Sequence, residues 1–600
     1  MGSEYWERVR KRRVTRRRVL GAGALGASGA VLAATVGCGD DDDDDDDAGS
    51  GTAAAGGERD TSQLPERFRE ARYGGILRFG VNDPPQTLDL HAHDSPGGHL
   101  VAYPAYNGLI RRPENPPGNA TSEPELVEEW EQPDETTTIL HVRKGVKFHN
   151  VEPTNGREMT GEDIVYTIER AQGKHPHSSQ VGGEFRMRDM FPVNLELTDD
   201  YTVRLTSEKP FAPLLNNLGF SWLMVEPREL VEATGDRSVI TWAVGTGPFI
   251  MDGYDTLGDG GMVTHVRNPD YWRKGHPFVD KIEQPIVTGL DTLQAMYLND
   301  DVDTTIYIQS AIVKAMEEAG KEMQIFPVPA IGPLKLYFDM ANQDSPWTRE
   351  QRLRQALHYL IPYDAILAGL DATCCRSGPM PPHYKPWALN ESELPAAGMP
   401  FADAVQRGIE LMTEAGFPPG TEIPLELSTS PFYSGTQIGE ALVGVFGAIK
   451  QQTNGAVNIN ARLNVMELTD WFQQIYFGGG TYMATCHGDW SWEEPDNAFY
   501  RYFHSTGVAN NTHTNDAELD RLIEQQRQEL DPEKRLQIVR DIQFRLLDTS
   551  QMIWIVSPEG FTGAQRFIGG YSPMFLNNVE SPRHFDELWL TEDAPSSRRT

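Results

Sequence analysis

Eight consecutive aspartates, Asp40–Asp47, follow closely on an apolar run that ends at Val36. Adjacent carboxylates repel one another and lose solvation energy on burial, so a chain cannot build a core through them. The residues that follow, as far as Asp60, are mostly small and polar. We therefore predict that residues 38–69 form an extended acidic tether and that the globular fold begins after it.

The residues before the aspartates have the composition of an export signal. Eight Lys and Arg residues precede Val19, and no charged residue occurs from Val19 to Val36. The stretch "TRRRVL" from Thr15 resembles a twin-arginine signal, and "TVGC", ending at Cys38, resembles a lipobox, where a lipoprotein is cleaved and lipidated. We predict that residues 1–37 are a removable signal peptide and that Cys38 carries lipid. Simple secretion and an uncleaved anchor are the alternatives.

Charge limits the class of partner. The whole chain has a formal net charge of −34, and removal of residues 1–37, with eight basic and two acidic side chains, makes it −40. A surface of that sign repels the phosphates of nucleic acids. Nucleic acid is therefore excluded as a predicted partner.

Besides the predicted lipidation site Cys38, the chain has three cysteines: Cys374, Cys375 and Cys486. Three thiols are too few for a disulfide framework. In an oxidising compartment, Cys486 could bridge to one of the two neighbouring cysteines. The alternative, equally compatible with the sequence, is that the thiols stay free.

Strand and helix patterns alternate along the body. The stretch from Gly74 to Asp94 has the composition of a strand that runs into a Pro-rich turn. A helix is predicted after Thr160, which has acidic residues in its first turn, and another after Asp531, where Pro532 occupies the first helical position. Because such elements alternate without a repeat, the pattern indicates an α/β fold of several lobes.

Two further helix ends have sequence signatures. A capping box from Thr348 to Gln351 predicts a helix start, and the apolar side chains that follow it are spaced as one buried stripe. Gly416 stands where a helix C′ glycine is expected, after an amphipathic stretch.

The sequence contains none of the common catalytic signatures, so we predict that the protein is not an enzyme. Two histidine pairs, His91 with His93 and His175 with His177, could chelate a transition metal, because alternate residues of an extended chain share a face. Histidines in polar loops usually bind no metal, and we predict neither a metal nor another cofactor.

The stretch "GDWSWEEPDNAFYRYF" is the best candidate for ligand contact. If it is extended, Asp489, Ser491 and Glu493 point to one side, and Trp490 and Trp492 point to the other. Carboxylates backed by indole rings suit a cationic or amphipathic solute. The alternative is that the tryptophans belong to the core and the acids to the solvated surface.

Several stretches in a fixed order resemble the oligopeptide- and dipeptide-binding family of ABC-transporter solute-binding proteins, family 5. The resemblance extends over residues 74 to about 560 and is carried by "GGILRFGVNDPPQTLDLH", "EPELVEEWEQPDETTTILHVRKGVKFHN", "MTGEDIVYTIERA", "GTGPFIMDGY", "RNPDYWRKGHPFVDKI", "RLRQALHYLIPYDAIL", "LMTEAGFPPG" and "NDAELDRLIEQQRQELDPEKRLQIVRDIQ".

The resemblance implies an α/β, two-lobed periplasmic-binding-protein fold (type II, cluster C) with an extra inserted domain. The family's ligand lies between two lobes that close by hinge bending. The implied domains are domain I at 70–115, 245–335 and 556–600, domain II at 116–244, and domain III at 336–555.

The implied function is that of an extracytoplasmic lipoprotein that captures peptides or another small organic solute and delivers it to ABC permease subunits. The expected localisation is the outer side of the cell membrane, through the lipid anchor, and the expected state is a monomer. The alternatives are an envelope sensor or chaperone-like binding protein, a nickel-type metal-chelate receptor of the same family, and an envelope hydrolase.

The resemblance also implies which residues contact the ligand. Peptide-binding relatives pair the peptide's α-amine with an aspartate at the position of Ser491, so in this chain we expect Asp489, two residues earlier, to take that role. The stretch "TYMATCHGDW" contains no arginine that could hold a carboxylate, which disfavours long peptides gripped at both ends. On the other wall, Asn82, Asp83 and Tyr106 are the candidates.

Overall fold

The structure is a computed structural model, and it describes residues 64–91, 96–111, 122–175, 187–234, 240–308, 310–329, 333–369, 374–430, 435–476, 480–488, 494–571 and 584–599. We call residues 122–234 the inserted region, residues 333–557 the third region, and the other described residues the first region. The predicted signal peptide, tether and lipidation site at Cys38 lie outside the described residues.

Helices occur in all three regions. In chain order they are α1 (Pro96–Ala102), α2 (Gly161–Ala171), α3 (Leu214–Leu218), α4 (Arg228–Thr234), α5 (Leu290–Leu298), α6 (Ser310–Glu318), α7 (Pro346–Arg349), α8 (Gln351–Leu360), α9 (Tyr363–Gly369), α10 (Phe401–Glu414), α11 (Gly435–Gln452), α12 (Leu468–Trp471), α13 (Pro495–Phe503), α14 (Ala517–Gln528) and α15 (Pro532–Thr549).

Strands alternate with these helices. In chain order they are β1 (Ile76–Gly80), β2 (Ile110–Arg111), β3 (Glu123–Pro124), β4 (Val127–Asp134), β5 (Thr137–Val142), β6 (Asn194–Asp199), β7 (Thr202–Thr206), β8 (Phe249–Tyr254), β9 (Met262–Arg267), β10 (Lys281–Pro285), β11 (Thr304–Ile308), β12 (Met323–Pro329), β13 (Leu334–Phe338), β14 (Cys374–Arg376), β15 (Ile423–Thr429), β16 (Ile459–Val465), β17 (Ala484–His487), β18 (Met552–Gln565), β19 (Ile568–Gly569) and β20 (Trp589–Leu590).

One mixed sheet connects the first and third regions, in the order β16-β15-β17-β13-β18-β11-β1-β10-β9-β8. Its shared strand is β18. Residues Met552 to Val556 of that strand pair with β13, while Phe561 to Ala564 pair with β11. The chain passes between these two regions only at β18 and at the connection from β12 to β13, so the two halves of the sheet are joined at a narrow junction.

The inserted region has its own antiparallel sheet, in the order β4-β5-β7-β6. Helix α2 begins after Thr160, whose backbone N–H donates to the Asp163 carboxylate at 2.9 Å. The buried residues of this region continue into one core cluster with Phe499 and Tyr502 of the third region. The inserted region is therefore packed against the third region as well as attached to the first.

Separate apolar cores lie on the two halves of the large sheet. The first-region core surrounds β1 and β8–β10, and the third-region core lies between the strands β13 and β15–β18 and the helices α8, α10 and α11. Within the part of the chain that the structure describes, no helix is both long enough and apolar enough to cross a membrane.

A buried ion-pair group, which we call the clamp, fixes the inserted region to the first region. It consists of Asp89 from the first region and Arg170 and Glu226 from the inserted region, all at most 3% exposed. Arg170 donates to Asp89 at 2.8 and 2.5 Å and to Glu226 at 2.5 Å, and the Leu90 backbone N–H donates to Glu226 at 3.0 Å. One guanidinium thus lies between two carboxylates that water does not reach.

Three predictions on local structure are confirmed. The Asp531 carboxylate accepts hydrogen bonds from the backbone N–H groups of Glu533 and Lys534, both at 3.0 Å, so it is the N-cap of α15. Gly416 has φ +88° directly after the C-cap of α10, as a C′ glycine requires. A strand, β1, begins two residues after Gly74.

The capping box predicted from Thr348 to Gln351 is wrong. Thr348 lies inside the short helix α7, and its hydroxyl donates to the Asp339 carbonyl at 2.7 Å. The N-cap of α7 is Ser345, whose hydroxyl accepts from the Trp347 N–H. Glu350 is extended and separates α7 from a second helix, α8, which begins at the next residue.

The structure also decides between the two alternatives for Cys486. Its thiol is free, fully buried, and points at the Gly435 carbonyl, with sulfur and oxygen 3.5 Å apart. Burial raises the pKa of this thiol to about 12. The bridge from Cys486 to Cys374 or Cys375 is therefore not formed, and Cys486 behaves as an unreactive core residue.

Candidate functional site

Parallel strands of the first region end at one edge of the sheet. Strand β1 runs parallel to β10 and β11 and leads directly into Asn82 and Asp83. In open α/β sheets, ligands bind outside the carboxyl ends of parallel strands. This edge is one wall of the candidate site.

The third region presents a similar edge. Strand β15 runs parallel to both β16 and β17, and β17 ends at His487. Helix α11 starts close against the ends of β15 and β17: a Cβ on Gly435 would lie 2.6 Å from the Ser430 carbonyl oxygen and 2.8 Å from that of Cys486. Only glycine allows this approach, which brings the N-terminus of α11 to the carboxyl ends of these strands.

The predicted ligand residues of the third region follow that edge. Asp489, Trp490, Ser491, Trp492 and Glu493 lie outside the described residues, and their roles stay predictions. The structure does place the residues on each side of them. His487 ends β17, and Glu494 is the N-cap of α13, where its carboxylate accepts from the Asp496 N–H at 3.2 Å.

On the first-region wall, the predicted residues have different surroundings. Asn82 and Asp83 are half-buried, and the Asp83 carboxylate accepts from the Gly97 N–H at 3.2 Å. Tyr106 is only 2% exposed, and its hydroxyl accepts from the Val244 N–H at 3.3 Å. Burial raises the pKa of Tyr106 well above its usual value, so it stays neutral. Its described contacts are those of a core residue, and ligand contact stays a prediction for all three residues.

Sequence reasoning missed a histidine with aromatic neighbours at the end of β17. The Tyr337 hydroxyl lies 2.6 Å from His487 Nε2, and the Tyr337 and Trp471 rings stand nearly perpendicular to the imidazole at 5.2 and 5.1 Å. The signal was present in "ATCH", where Ala484 and Cys486 belong to the core and alternation turns His487 to the opposite face.

Lys335 is a second residue that the sequence analysis did not select. It is the register partner of His487 across β13 and β17 and is only 7% exposed. Its ammonium lies 5.8 Å from the centre of the Tyr502 ring, beside a cavity of about 30 Å³ that Trp554 also lines. This face of the third-region sheet therefore combines a buried cation, an imidazole and aromatic rings at a strand end that the predicted ligand residues follow in sequence.

The described residues contain one cluster of side chains of the metal-binding type: His276, Asp586 and Glu587. Arg111 donates to both carboxylates at 3.0 and 3.2 Å, and Arg273 donates to both at 2.7 Å. Two guanidiniums already neutralise the two acids, so this group does not fit a metal cation. It is an ion-pair network that fixes the C-terminal segment to the rest of the first region.

The two histidine pairs do not assemble a metal site from their described members. His91 is buried, its Nε2 lies 2.9 Å from the Met224 carbonyl oxygen, and burial lowers its pKa to about 3. His175 Nε2 lies 3.2 Å from the Glu169 carboxylate. His93 and His177 lie outside the described residues.

Comparison with protein families gives one match that covers most of the chain. A family model described as "Bacterial extracellular solute-binding proteins, family 5 Middle" matches residues 121–510. The match includes the inserted region, the junction from β12 to β13 and most of the third region.

Curated relatives are similar at low identity over most of their length. Heme-binding protein A of Haemophilus influenzae is 25% identical over 507 residues, which cover 81% of this chain and 86% of that protein. Di/tripeptide-binding protein 3 of Pseudomonas aeruginosa is 25% identical over 449 residues, 71% of this chain and 79% of that protein.

Solved structures of such proteins share the fold. The periplasmic binding protein DppA from Helicobacter pylori, in complex with the peptide STSA, superimposes with a TM-score of 0.69 at 18% identity, over 87% of this chain and 99% of that one. HbpA2 from Haemophilus parasuis gives 0.68 at 19% identity, over 86% and 100%. The predicted two-lobed α/β fold is confirmed.

Proposed function

We propose that this chain, which belongs to the bacterial extracellular solute-binding proteins of family 5, captures a short peptide or a peptide-sized organic solute for an ABC importer. The observation that carries the proposal is the direction of the strands: relative to β18, which passes through both sheet halves, the carboxyl ends of β1 and β17 both lie on the side of the junction. Predicted ligand residues follow the carboxyl end of β1 on one side and of β17 on the other, and the two sheet halves are joined only at a narrow junction.

The mechanism follows from bending at that junction. Closing the two edges around a solute removes water, which strengthens each hydrogen bond and charge pair inside. Release requires that the open form stay populated. The permease would bind the closed, ligand-occupied form. No covalent bond is made or broken.

For the ligand itself, we propose that Asp489 pairs with a peptide α-amine. Support comes from its place two residues before Ser491, which is the family position of the amine-binding aspartate, and from the relatives named as di/tripeptide-binding proteins. A charge-assisted hydrogen bond of this kind contributes about 1.5–3 kcal/mol.

The test uses calorimetric titration of the purified body with tri-alanine, N-acetyl-tri-alanine and haemin. We expect tri-alanine to bind, Asp489→Asn to weaken it by about 1.5–3 kcal/mol, and acetylation to abolish the difference between wild type and variant. Asp470→Asn, at an exposed aspartate of α12, is the matched control and should bind as wild type. Binding of haemin alone, or equal affinities for wild type and Asp489→Asn, would reject the amine pairing.

We further propose that Cys38 carries the lipid that retains the protein at the outer face of the cell membrane, as a monomer on its aspartate tether. The basis is the sequence of residues 1–37 and the acidic stretch behind Cys38. Cys38→Ala should move the protein from the membrane fraction to the soluble fraction. Persistence of the variant in the membrane fraction would contradict lipidation.

A further inference from the structure

The inserted region and the third region meet at a set of polar contacts that the family assignment does not explain. We call this set the latch. It consists of Asn216 and Asn217 from the inserted region and of Glu494, Asn497 and Arg527 from the third region.

The contacts across the latch are short and specific. Asn216 Nδ2 donates to Glu494 Oε2 at 2.8 Å, and Asn497 Nδ2 donates to Asn217 Oδ1 at 3.1 Å. Arg527 makes two hydrogen bonds across the latch. Its side-chain Nη2 donates to the carbonyl of residue 189 at 3.0 Å, and its backbone carbonyl accepts from the N–H of residue 212 at 2.8 Å. Two turns of the inserted region are therefore held on α13 and α14.

The charges of the latch are neutralised within the third region. Glu494, which is 2% exposed, is paired with Arg535, and Asp496 accepts from Arg527 at 3.1 Å. Burial alone would raise the pKa of Glu494, but Arg535 and the Asn216 amide lower it below its usual value. Separation of the two regions would break hydrogen bonds from amides and to backbone groups and would leave each ion pair intact.

Apolar contacts accompany the hydrogen bonds. The Arg527 guanidinium stacks between Tyr500 of α13, at 3.8 Å, and Phe211 of the inserted region, at 5.2 Å. Phe211, Leu214 and Phe499 belong to one buried cluster. The face is thus a packed interface with a polar centre, and its neutral polar groups can hydrogen-bond to water when the interface opens.

The latch is also adjacent in sequence to the candidate site. Helix α13 begins at Pro495, two residues after Glu493, and Glu494 is both its N-cap and the acceptor for Asn216. A movement that carries the predicted ligand residues toward the first region therefore also carries Glu494 toward Asn216.

We propose that Asn216 and Asn497 are positioning residues that hold the third region against the inserted region and thereby slow the escape of bound solute. This inference rests on the proposed function, because it treats the junction at β18 as a hinge. In the closed form the latch fixes the start of α13, and thus the end of the predicted ligand segment. In the open form it is broken.

The experiment compares the wild type with Asn216→Ala, the double variant Asn216→Ala/Asn497→Ala and the control Gln132→Ala, an exposed amide on β4 outside the latch. Without added ligand, we expect the double variant to have a larger radius of gyration by X-ray scattering. Its hydrogen exchange should rise in residues 211–218 and 494–503 and stay unchanged in the β4–β7 sheet. Gln132→Ala should match the wild type in both measurements.

With tri-alanine as the probe, stopped-flow fluorescence should show a dissociation rate about tenfold higher for the double variant, because hydrogen bonds that stabilise only the closed form are lost. The association rate should change less than twofold. If tri-alanine does not bind the wild type, the proposed function fails for peptides, while scattering and exchange still test the latch. The inference would be overturned if the double variant had the same scattering and hydrogen exchange as the wild type. It would also be overturned if hydrogen exchange rose throughout the inserted region.

Discussion

The inserted region has two buried faces that differ in where their charges lie. In the clamp, Arg170 of the inserted region neutralises Asp89 of the first region, so the two halves of an ion pair belong to different regions. In the latch, Glu494 is paired with Arg535 of its own region and receives only an amide from across the interface. Parting the clamp would leave buried charges without partners, whereas parting the latch would not.

Backbone hydrogen bonds also join the inserted region to the first region. The Val225 N–H donates to the Asn107 carbonyl at 3.0 Å, and the His149 N–H donates to the Gly245 carbonyl at 2.8 Å. These contacts fix the inserted region to the first region, whereas its separation from the third region is what the latch proposal requires.

The largest expected effect is the loss of the clamp. Arg170→Met should reduce the free energy of unfolding by about 3–5 kcal/mol, since it leaves Asp89 and Glu226 buried without their cation. Urea denaturation followed by circular dichroism measures this. The matched control is Arg228→Met, whose exposed i,i+4 pair with Glu232 should contribute about 0.5 kcal/mol or less. Equal losses for the two variants would remove the distinction between the faces.

The second prediction concerns pH. Burial and the neighbouring Asp89 raise the pKa of Glu226 to about 8, against the pull of Arg170. A carboxyl whose pKa is raised in the folded state contributes stability that is complete below its unfolded pKa of 4.5 and is lost as the pH rises through about 8. Burial raises the pKa of Asp89, but Arg170 and His91 lower it to below its ordinary value of 3.8, so Asp89 does not titrate between pH 5 and pH 9.

We therefore expect the free energy of unfolding to fall by about 2–4 kcal/mol between pH 5 and pH 9. In Glu226→Gln, which cannot titrate, the corresponding decrease should be much smaller. Urea midpoints at pH 5, 7 and 9 measure both proteins. Identical slopes in wild type and variant would show that Glu226 is ionised throughout.

The smallest expected effect is at the latch. Asn497→Ala removes one neutral hydrogen bond and should cost about 1 kcal/mol of global stability. The same urea titrations measure it. A loss above about 3 kcal/mol, comparable to that of Arg170→Met, would mean that the latch holds the fold together as the clamp does.

Much of the local structure could be predicted because it depends on neighbouring residues. The caps at Thr160 and Asp531 and the C′ glycine at Gly416 involve partners within a few positions, so the sequence contains all the information they need. The capping box predicted at Thr348 is wrong for a non-local reason. The Thr348 hydroxyl donates to the Asp339 carbonyl, and the helix starts earlier, with Ser345 as its N-cap and Pro346 as its first residue.

The candidate site could be predicted only in part. Asn82 and Asp83 were predicted from the family resemblance, and the structure places them directly after β1, whereas the alternation in "ATCH" was not used to select His487. Neither pattern could show that Tyr337 would meet His487, because the two residues are 150 positions apart. Lys335 was missed for the same reason, since its register with His487 depends on the pairing of β13 with β17.

The sequence by itself determined the alternation of strands and helices, the caps at Thr160 and Asp531 and the resemblance to a solute-binding family. These properties follow from local propensity, charge and the period of apolar residues. Only the tertiary structure decided that Cys486 is a free core thiol, that Arg170 closes a clamp with Asp89, and that Asn216 reaches Glu494 across 278 residues. Such partners are chosen by the packing of whole elements, because a side chain's burial and hydrogen bonds depend on what is brought against it in space.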